Sequence, residues 1–484
     1  MIKGVIYVKG LLINEKVKAL FGINIIAFII ALLSCLSYKL AIMVLALFLA
    51  ICLMFSKTLY LYCVLAVCAL NIILNYSAQG IGIVIGGIPL TFMDAILFIG
   101  LGRIFFRFSL RKESPKRKDE VLILIITSIA FVRFIYGMIF VDKLALRDAT
   151  HYINMLYFIV VISELNFVRD KININKLFTK YIKVILNIMF IYALFMPFEN
   201  IIKSISPKLP GLQSSIPILG SFTITHLWLV ILIIYNLYSL DRKLVNINYT
   251  ILYHIQNIIS LTLILYSTSR ITIISLVILI FILGLKREYY IVKSFIYYSF
   301  IFASILIFIE IFNINIKLER GYLNLEMIKN IFLSAIGLGT HEGMAAGHSE
   351  RIKYLEDILT THSDIKSIFC GGGFGYSLIE FKNMAGASVR EPHNSYLSVY
   401  ARMGIITLTI WMSILISKMK ISFKNMGKDL NYLILFLILF LCMLNATCET
   451  FFETPFEATT FYILLGILTY ILSNKGVKYD YRKR

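Results

Sequence analysis

The sequence predicts an all-α integral membrane protein that crosses the bilayer many times. Of its 484 residues 59% are hydrophobic, and the mean hydropathy is +0.84. Only 15% are charged, whereas about a quarter of a typical soluble domain is charged. The lysines and arginines behind the net charge of +20 fall in short clusters between apolar runs, which is the pattern of membrane loops. The charge therefore does not indicate a nucleic-acid partner.

The apolar runs predict where the membrane helices lie. A spanning helix needs about 20 mostly apolar residues, and about fourteen runs meet this description. They are 19–36, 40–56, 59–75, 89–106, 121–141, 150–167, 181–198, 218–240, 249–266, 271–285, 293–312, 394–416, 430–447 and 456–473. If neighbouring runs merge or one run is re-entrant, the count falls to about twelve.

The connections between these runs alternate between rich and poor in lysine and arginine. The rich set includes both termini and the segment from Arg107 to Lys118, whereas the short loops of the other set hold only a few basic residues such as Lys143. Basic loops stay in the cytoplasm, so we expect both termini to be cytoplasmic. We expect no disulfide framework, because most of the seven cysteines lie inside apolar runs.

One long polar segment divides the chain into three parts. We predict membrane helices over 1–312, an extracytoplasmic loop over 313–393 and further membrane helices over 394–484. A connection of this length is usually either functional or disordered. Because this one contains a plausible helix and a glycine-rich turn, we expect it to be folded and functional.

Two arginines near the outer ends of helices are candidate anion-binding groups. Arg270 follows Ser269 at a break between two apolar runs, and Arg351 lies on a helix predicted to start at Ser349. A guanidinium group matches phosphate oxygens with a planar set of donors. The alternatives are an arginine that extends to the bilayer interface for Arg270 and an exposed helix arginine for Arg351.

A glycine-rich turn and a histidine complete the segment. Gly373 and Gly375 permit positive φ angles and close backbone approach, which is compatible with a phosphate-binding turn or a plain tight turn. His393 and Asn394 open the next membrane helix. Histidine suits a general base near neutral pH, although a capping or packing role is the alternative.

Further ionisable residues are expected at the same face. Glu449 lies just before the last helix and Arg147 just before the sixth, while Asp94 and Asp148 are as compatible with structural salt bridges. The histidines of the polar segment show no metal-binding spacing. We therefore expect neither a metal site nor a cofactor.

Taken together, these residues resemble the O-antigen polymerase and ligase superfamily of bacterial envelope glycosyltransferases. The resemblance covers roughly residues 220–470 and depends on the order of several motifs more than on any one of them. Tyr354 departs from the tryptophan that many members carry, but keeps an aromatic side chain. The motifs are Ser269-Arg270, the Arg351 helix about twenty residues before Gly373 and Gly375, His393-Asn394-Ser395-Tyr396 leading into Gly404, and Glu449 to Pro455 ahead of a final helix with Gly466.

The resemblance implies a GT-C-like, metal-independent, inverting glycosyltransferase of the bacterial inner membrane. Its donor is a glycan on undecaprenyl diphosphate, and its acceptor is a lipid A core sugar in a ligase or another lipid-linked repeat unit in a polymerase. Arg270 and Arg351, with Arg147 as a third, are expected to bind the diphosphate. His393 is the expected base and Glu449 the second candidate. We favour a polymerase, with a ligase close behind.

Two other functions fit a polytopic membrane protein. A secondary transporter or polysaccharide flippase is the main alternative, and it predicts charged residues near the bilayer midplane with half-chain symmetry. A scaffold with a structural outer loop is the third. The concentration of polar residues at one face favours the enzyme.

Overall fold

The protein is described from a computed structural model. It covers residues 48–85, 88–111, 117–208, 217–244, 247–267, 269–312, 317–318, 321–335, 342–379, 381–382, 388–389 and 391–480. The described part is predominantly helical, as expected for an all-α membrane protein. The first predicted run, 19–36, and most of the second, 40–56, lie outside the described residues; a helical stretch at 48–55 belongs to the second.

The helices up to the polar segment are numbered in chain order. They are α1 (Leu59–Leu74), α2 (Phe92–Arg111), α3 (Lys118–Phe140), α4 (Ala145–Asn154), α5 (Leu156–Val168), α6 (Ile174–Ala193), α7 (Glu199–Ile205), α8 (Thr225–Asp241), α9 (Thr250–Tyr266), α10 (Arg270–Leu285) and α11 (Tyr289–Ile311). Three short 3-10 turns, Asn75–Gly80, Met196–Phe198 and Ile247–Tyr249, lie between them. Strands β1 (Gly82–Ile85) and β2 (Ile88–Thr91) form a small antiparallel pair.

The polar segment and the C-terminal part follow. Their helices are α12 (Leu325–Ala335), α13 (Glu342–Thr361), α14 (Ile365–Cys370), α15 (Ser395–Asn425), α16 (Leu430–Asn445) and α17 (Pro455–Asp480). Two further two-stranded antiparallel pairs are β3 (Lys317–Leu318) with β4 (Gly321–Tyr322) and β5 (Phe381–Lys382) with β6 (Ser388–Val389).

Each predicted apolar run from 59–75 onward coincides with a helix or, for 150–167, with the pair α4–α5. Six helical segments in the described part are long and apolar enough to span a bilayer, and the bent pair formed by Ile174–Ala193 and Met196–Ile205 makes a seventh. Four shorter apolar helices are α8, α9, α10 and α16. Helix α2 carries Asp94, Arg103, Arg107 and Arg111, so its composition is less apolar. The chain is therefore a multi-pass membrane protein, and the total of twelve to fourteen spans stays a prediction.

The helices form a bundle with two chemically different ends. One end, which we call the loop end, is where α11 leads into the polar segment and where α15 and α17 begin. There the side-chain amide of Asn75 donates to the carbonyl of Ser221, just before α8. The opposite end, where α15 leads into α16, we call the lysine end. There Arg242, after α8, forms an ion pair with Glu288, before α11, at 3.0 Å. Among the long apolar helices α17 is the most enclosed, because 89% of its most apolar 18-residue stretch is buried.

The polar segment packs on the bundle. Helix α13 buries Tyr354 and Ile358 against Leu378, Ile379 and Ala401, the last of which lies on α15. The helix begins at Glu342, so the prediction of a helix start at Ser349 was wrong: Ala345 and Ala346 favour helix and extend it towards the N-terminus. The segment is partly helical as predicted, and the side of the membrane on which it lies stays a prediction.

Candidate functional site

The start of α15 is fixed to the end of α16. Asn394 caps α15, because its side-chain oxygen accepts from the amides of Tyr396 and Leu397 at 3.0 and 3.1 Å. Its side-chain nitrogen donates to the Thr447 carbonyl, and the Ser395 amide donates to the Ala446 carbonyl. The predicted turn residue Asn394 is thus an N-cap, and it places the preceding residue, His393, beside the connection between α16 and α17.

His393 itself has an unusual backbone. Its φ angle is +46°, in the left-handed region that non-glycine residues seldom occupy. Such conformations are kept where the surroundings fix them, and they concentrate at functional sites. In this conformation the imidazole lies beside Glu449, with Nδ1 3.7 Å from Oε2.

The 446–454 connection is anchored by Phe452. Its ring is fully buried against Trp411 and Phe461, and the His151 ring contacts its carbonyl oxygen. The Phe452 amide donates to the Ser395 hydroxyl at 3.1 Å. With Phe452 inside the bundle, Glu449 lies at the surface on one side of it.

Arg351, His393 and Glu449 form the central cluster of the site, which we call the outer triad. Nη2 of Arg351 lies 3.8 Å from Oε1 of Glu449, and Nδ1 of His393 lies 3.7 Å from Oε2. Arg351 also donates to the Cys448 carbonyl at 2.9 Å. The three side chains are 42%, 44% and 53% exposed, so all can reach a ligand. Three side chains from positions 351, 393 and 449 therefore meet, as the predicted topology required.

Arg270 begins α10 at the same end of the bundle. The hydroxyl of its neighbour Ser269 lies 3.4 Å from Nε2 of His226 and 3.0 Å from the hydroxyl of Thr272. The His226 ring in turn lies within electrostatic range of Glu449. The start of α10 therefore lies on the same side of the bundle as the outer triad, and the Arg270 side chain is half-buried.

Arg147 is exposed on α4. It makes no hydrogen bond or ion pair with the residues that the structure describes, whereas the next residue, Asp148, points inward. The structure therefore does not join Arg147 to the outer triad.

The glycine-rich turn lies against α15. Gly371, Gly373 and Gly375 have φ angles of +69°, +100° and +103°, which glycine adopts readily. The amide of Gly373 donates to the Arg402 carbonyl at 2.9 Å, and that of Gly375 donates to a carboxylate oxygen of Asp148 at 2.9 Å. Both amides have protein acceptors, so the turn serves packing, and the phosphate-cradle interpretation of Gly373 and Gly375 is not supported.

A buried arginine organises this region. Arg402 on α15 is only 2% exposed; its Nη1 lies 2.9 Å from Asp148 and its Nη2 lies 2.5 Å from Glu391. Nη1 also approaches the Tyr376 carbonyl at 3.4 Å. This cluster, the inner triad of Arg402, Asp148 and Glu391, joins α4, the glycine turn and the start of α15. Asp148 therefore forms a buried salt bridge with Arg402, which is the structural role considered for it from the sequence.

Glu453 lies between the two triads. Its Oε2 accepts from the Ser395 hydroxyl at 2.6 Å, while Oε1 is buried without a hydrogen-bond partner among the described residues. Burial, together with the nearby Glu391 carboxylate, raises the pKa of Glu453 to about 7, while hydrogen bonds from Ser395 and Ser398 oppose the shift. A carboxyl group with this pKa exchanges protons near neutral pH.

Three residues of this region were not singled out as site candidates from the sequence: Arg402, Glu391 and Glu453. Arg402 lies inside the run 394–416, where an ionisable residue is itself a signal of pairing or function. Glu453 lies in the stretch from Glu449 to Pro455, for which the sequence predicts an outward-facing position, whereas the structure half-buries it and encloses its Oε1 atom. Asp94 caps the start of α2 through Thr91 at 2.7 and 2.8 Å, in agreement with a structural role.

The arrangement offers an anion-binding guanidinium beside two proton-accepting groups. Within the described residues no group of three or more histidine, cysteine or acidic side chains is arranged to hold a metal ion. The guanidinium groups that could bind an anion at this end of the bundle are those of Arg351 and, nearby, Arg270.

The chain matches no protein-family model, and a search of curated proteins gives no significant match.

Proposed function

We propose that the chain is a membrane glycosyltransferase that transfers or polymerises undecaprenyl-diphosphate-linked oligosaccharide repeat units. The reaction is placed outside the inner membrane of a bacterium, with both termini in the cytoplasm. A polymerase is favoured over a ligase. The observation that carries the proposal is the outer triad: Arg351, Glu449 and His393 meet at the ends of membrane helices.

The chemistry of the reaction matches this cluster. The leaving diphosphate carries several negative charges, and a metal-independent enzyme must neutralise them with cationic side chains. Arg351 holds Glu449 only at 3.8 Å and is well exposed, so a diphosphate can compete for its guanidinium. Arg270 supplies a second cation at the same end of the bundle. The lipid tail of the donor lies in the bilayer while its diphosphate reaches the helix ends.

The acceptor hydroxyl must lose its proton as it attacks the anomeric carbon. His393 is the proposed base, and Glu449 at 3.7 Å stabilises the imidazolium that forms. Glu449 is the second candidate for the base. Either group is within reach of an acceptor because both are about half exposed.

The alternative is a secondary transporter or flippase. It is favoured by a buried charge cluster in the bundle, where Arg103 and Arg107 contact Glu164. Arg103 also donates to backbone carbonyls at Leu53 and Met54, so this cluster joins helices to one another. We therefore give the enzyme priority.

The decisive test is the chain-length distribution of the envelope glycan in a deletion strain complemented with variants. We expect Arg351→Ala and His393→Ala to abolish long chains at normal protein levels. Lys353→Ala, an exposed residue on the same helix, is the matched control and should keep them. A deletion that leaves single repeat units on the acceptor indicates a polymerase, and one that leaves none indicates a ligase. Normal glycan with lost solute uptake would refute the enzyme.

The sidedness of the site is tested separately. Cys370 at the end of α14 is exposed, so a membrane-impermeant maleimide should label it in intact spheroplasts and not label Cys370→Ser at that position. Labelling of Cys370 only after the membrane is permeabilised would place the loop end in the cytoplasm and contradict the proposal.

A further inference from the structure

The lysine end of the bundle carries an open cleft beside α6. It encloses about 670 Å³ and is lined by Lys176, Lys180 and Lys183 from α6 together with Asp429 and Asn431 from the start of α16. The three lysines are exposed. None forms an ion pair with a carboxylate in the part of the chain that the structure describes, and Asp429 is engaged in capping α16.

The lysines form one stripe along the helix. Positions 176, 180 and 183 are separated by four and three residues, so they lie on one face over about two turns. Three like charges this close repel one another. The cleft therefore favours an anion that several ammonium groups can share.

The side of α6 next to this stripe is apolar further along the helix. Val184, Ile188 and Ile191 lie there, beyond Lys180 and Lys183, and are 45%, 39% and 58% exposed. From Lys183 to Ile191 the helix rises about 12 Å. A soluble anion or an acidic protein segment would use only the lysines. A phospholipid uses both parts, because its acyl chains lie on the apolar residues while its phosphate lies among the lysines.

We propose that this cleft is a binding site for an anionic phospholipid, with the phosphate held by Lys176, Lys180 and Lys183 and the acyl chains lying on Val184, Ile188 and Ile191. The site is at the opposite end of the bundle from the outer triad and does not depend on the proposed transferase activity. A second cleft of about 570 Å³ shares Asn173 and Asn175 with it and adds Lys171, so the basic surface continues towards the end of α17.

The test is a lipid titration of the purified full-length protein in detergent, followed by native mass spectrometry. Dioleoyl phosphatidylglycerol and dioleoyl phosphatidylcholine carry the same chains, so they differ only in the headgroup. We expect the triple variant K176Q/K180Q/K183Q to lose phosphatidylglycerol affinity by more than tenfold, since each lysine near an anionic lipid contributes roughly fivefold. Phosphatidylcholine binding should not change.

The matched control is K293Q/K420Q/K424Q, which removes three exposed lysines that do not line the cleft. An equal loss in this control would overturn the proposal, because the effect would then come from overall charge. If glycerol 3-phosphate displaced the lipid completely at equal concentration, the site would be one for soluble anions and the proposal would fail. If the glutamine variant does not fold, K176R/K180R/K183R should fold and keep the affinity, and its failure to bind the lipid would count against the site.

Discussion

Replacement of Glu453 by glutamine should stabilise the protein at alkaline pH and have little effect at acidic pH. The folded state raises the pKa of this carboxyl from 4.5 to about 7. Below about pH 4.5 the group is protonated in both the folded and the unfolded state, so it contributes nothing to the difference between them. As the pH rises towards 7 the unfolded state loses its proton first, and the folded state becomes progressively less stable.

The size of the effect follows from the shift. Each pKa unit corresponds to about 1.4 kcal/mol, so above pH 7 the ionised Glu453 costs the folded state about 3 kcal/mol. A glutamine keeps a hydrogen-bonding partner for the Ser395 hydroxyl, which lies 2.6 Å from Oε2 of Glu453, and removes the cost. The melting temperature of Glu453→Gln should then exceed that of the unchanged protein by a few degrees at pH 8.5, and the difference should be much smaller at pH 5.

The assay is thermal unfolding in one detergent between pH 5 and pH 9, followed by tryptophan fluorescence. Glu356→Gln, on an exposed position of α13, changes the charge equally and should keep the original pH profile. If the difference between Glu453→Gln and the unchanged protein is the same at pH 5 and pH 8.5, Glu453 is not the buried carboxyl that the structure describes.

Three further substitutions test the packing around the site. Arg402→Met leaves the carboxylates of the inner triad buried without their cation and should cost about 3–5 kcal/mol, seen as a lower melting temperature; unchanged melting would contradict the buried triad. Gly404→Ala should lower the stability by more than about 1 kcal/mol, because φ is +77° and a Cβ would lie 2.2 Å from the Phe369 carbonyl oxygen. The control Gly284→Ala meets only an ordinary contact at 3.7 Å and should leave the melting temperature unchanged. Asn394→Ala removes the cap of α15 and should lower stability by about 1 kcal/mol, with equal melting of the two proteins as the contrary result.

The positions of the helices could be predicted from the sequence because each apolar run is long and bounded by polar residues. Boundaries were less certain where no such contrast exists. In α13 the residues before Ser349 include two glycines and show no apolar periodicity, so the sequence placed the helix start at the N-cap residue Ser349 and not at Glu342. The charged residues of α2 make its composition less apolar than that of the other predicted spans. Arg103 can nevertheless be buried, because it pairs with Glu164 of α5 at 2.9 Å.

The outer triad could be anticipated because helix ends that alternate across a bilayer bring their adjoining residues together. His393 and Glu449 adjoin such ends, and Arg351 lies on α13 of the polar segment, which reaches them. The inner triad could not be assembled in this way, because Asp148 and Arg402 are 254 positions apart in the sequence and no local pattern connects them. The environment of Glu453 depends on the folding of Phe452 into the bundle, which hydropathy alone does not reveal.

The interruption of α15 at Gly404 has a consequence for motion. The carbonyl of Phe369 occupies the space that a side chain at 404 would take, and Gly371 is in equally close contact with Arg402 and Met403. The first nine residues of α15 are thus clasped by the polar segment, while the remainder of the helix packs within the bundle. Because both contacts are close, α14 and Ser395–Met403 are expected to move as one unit and not to slide past one another.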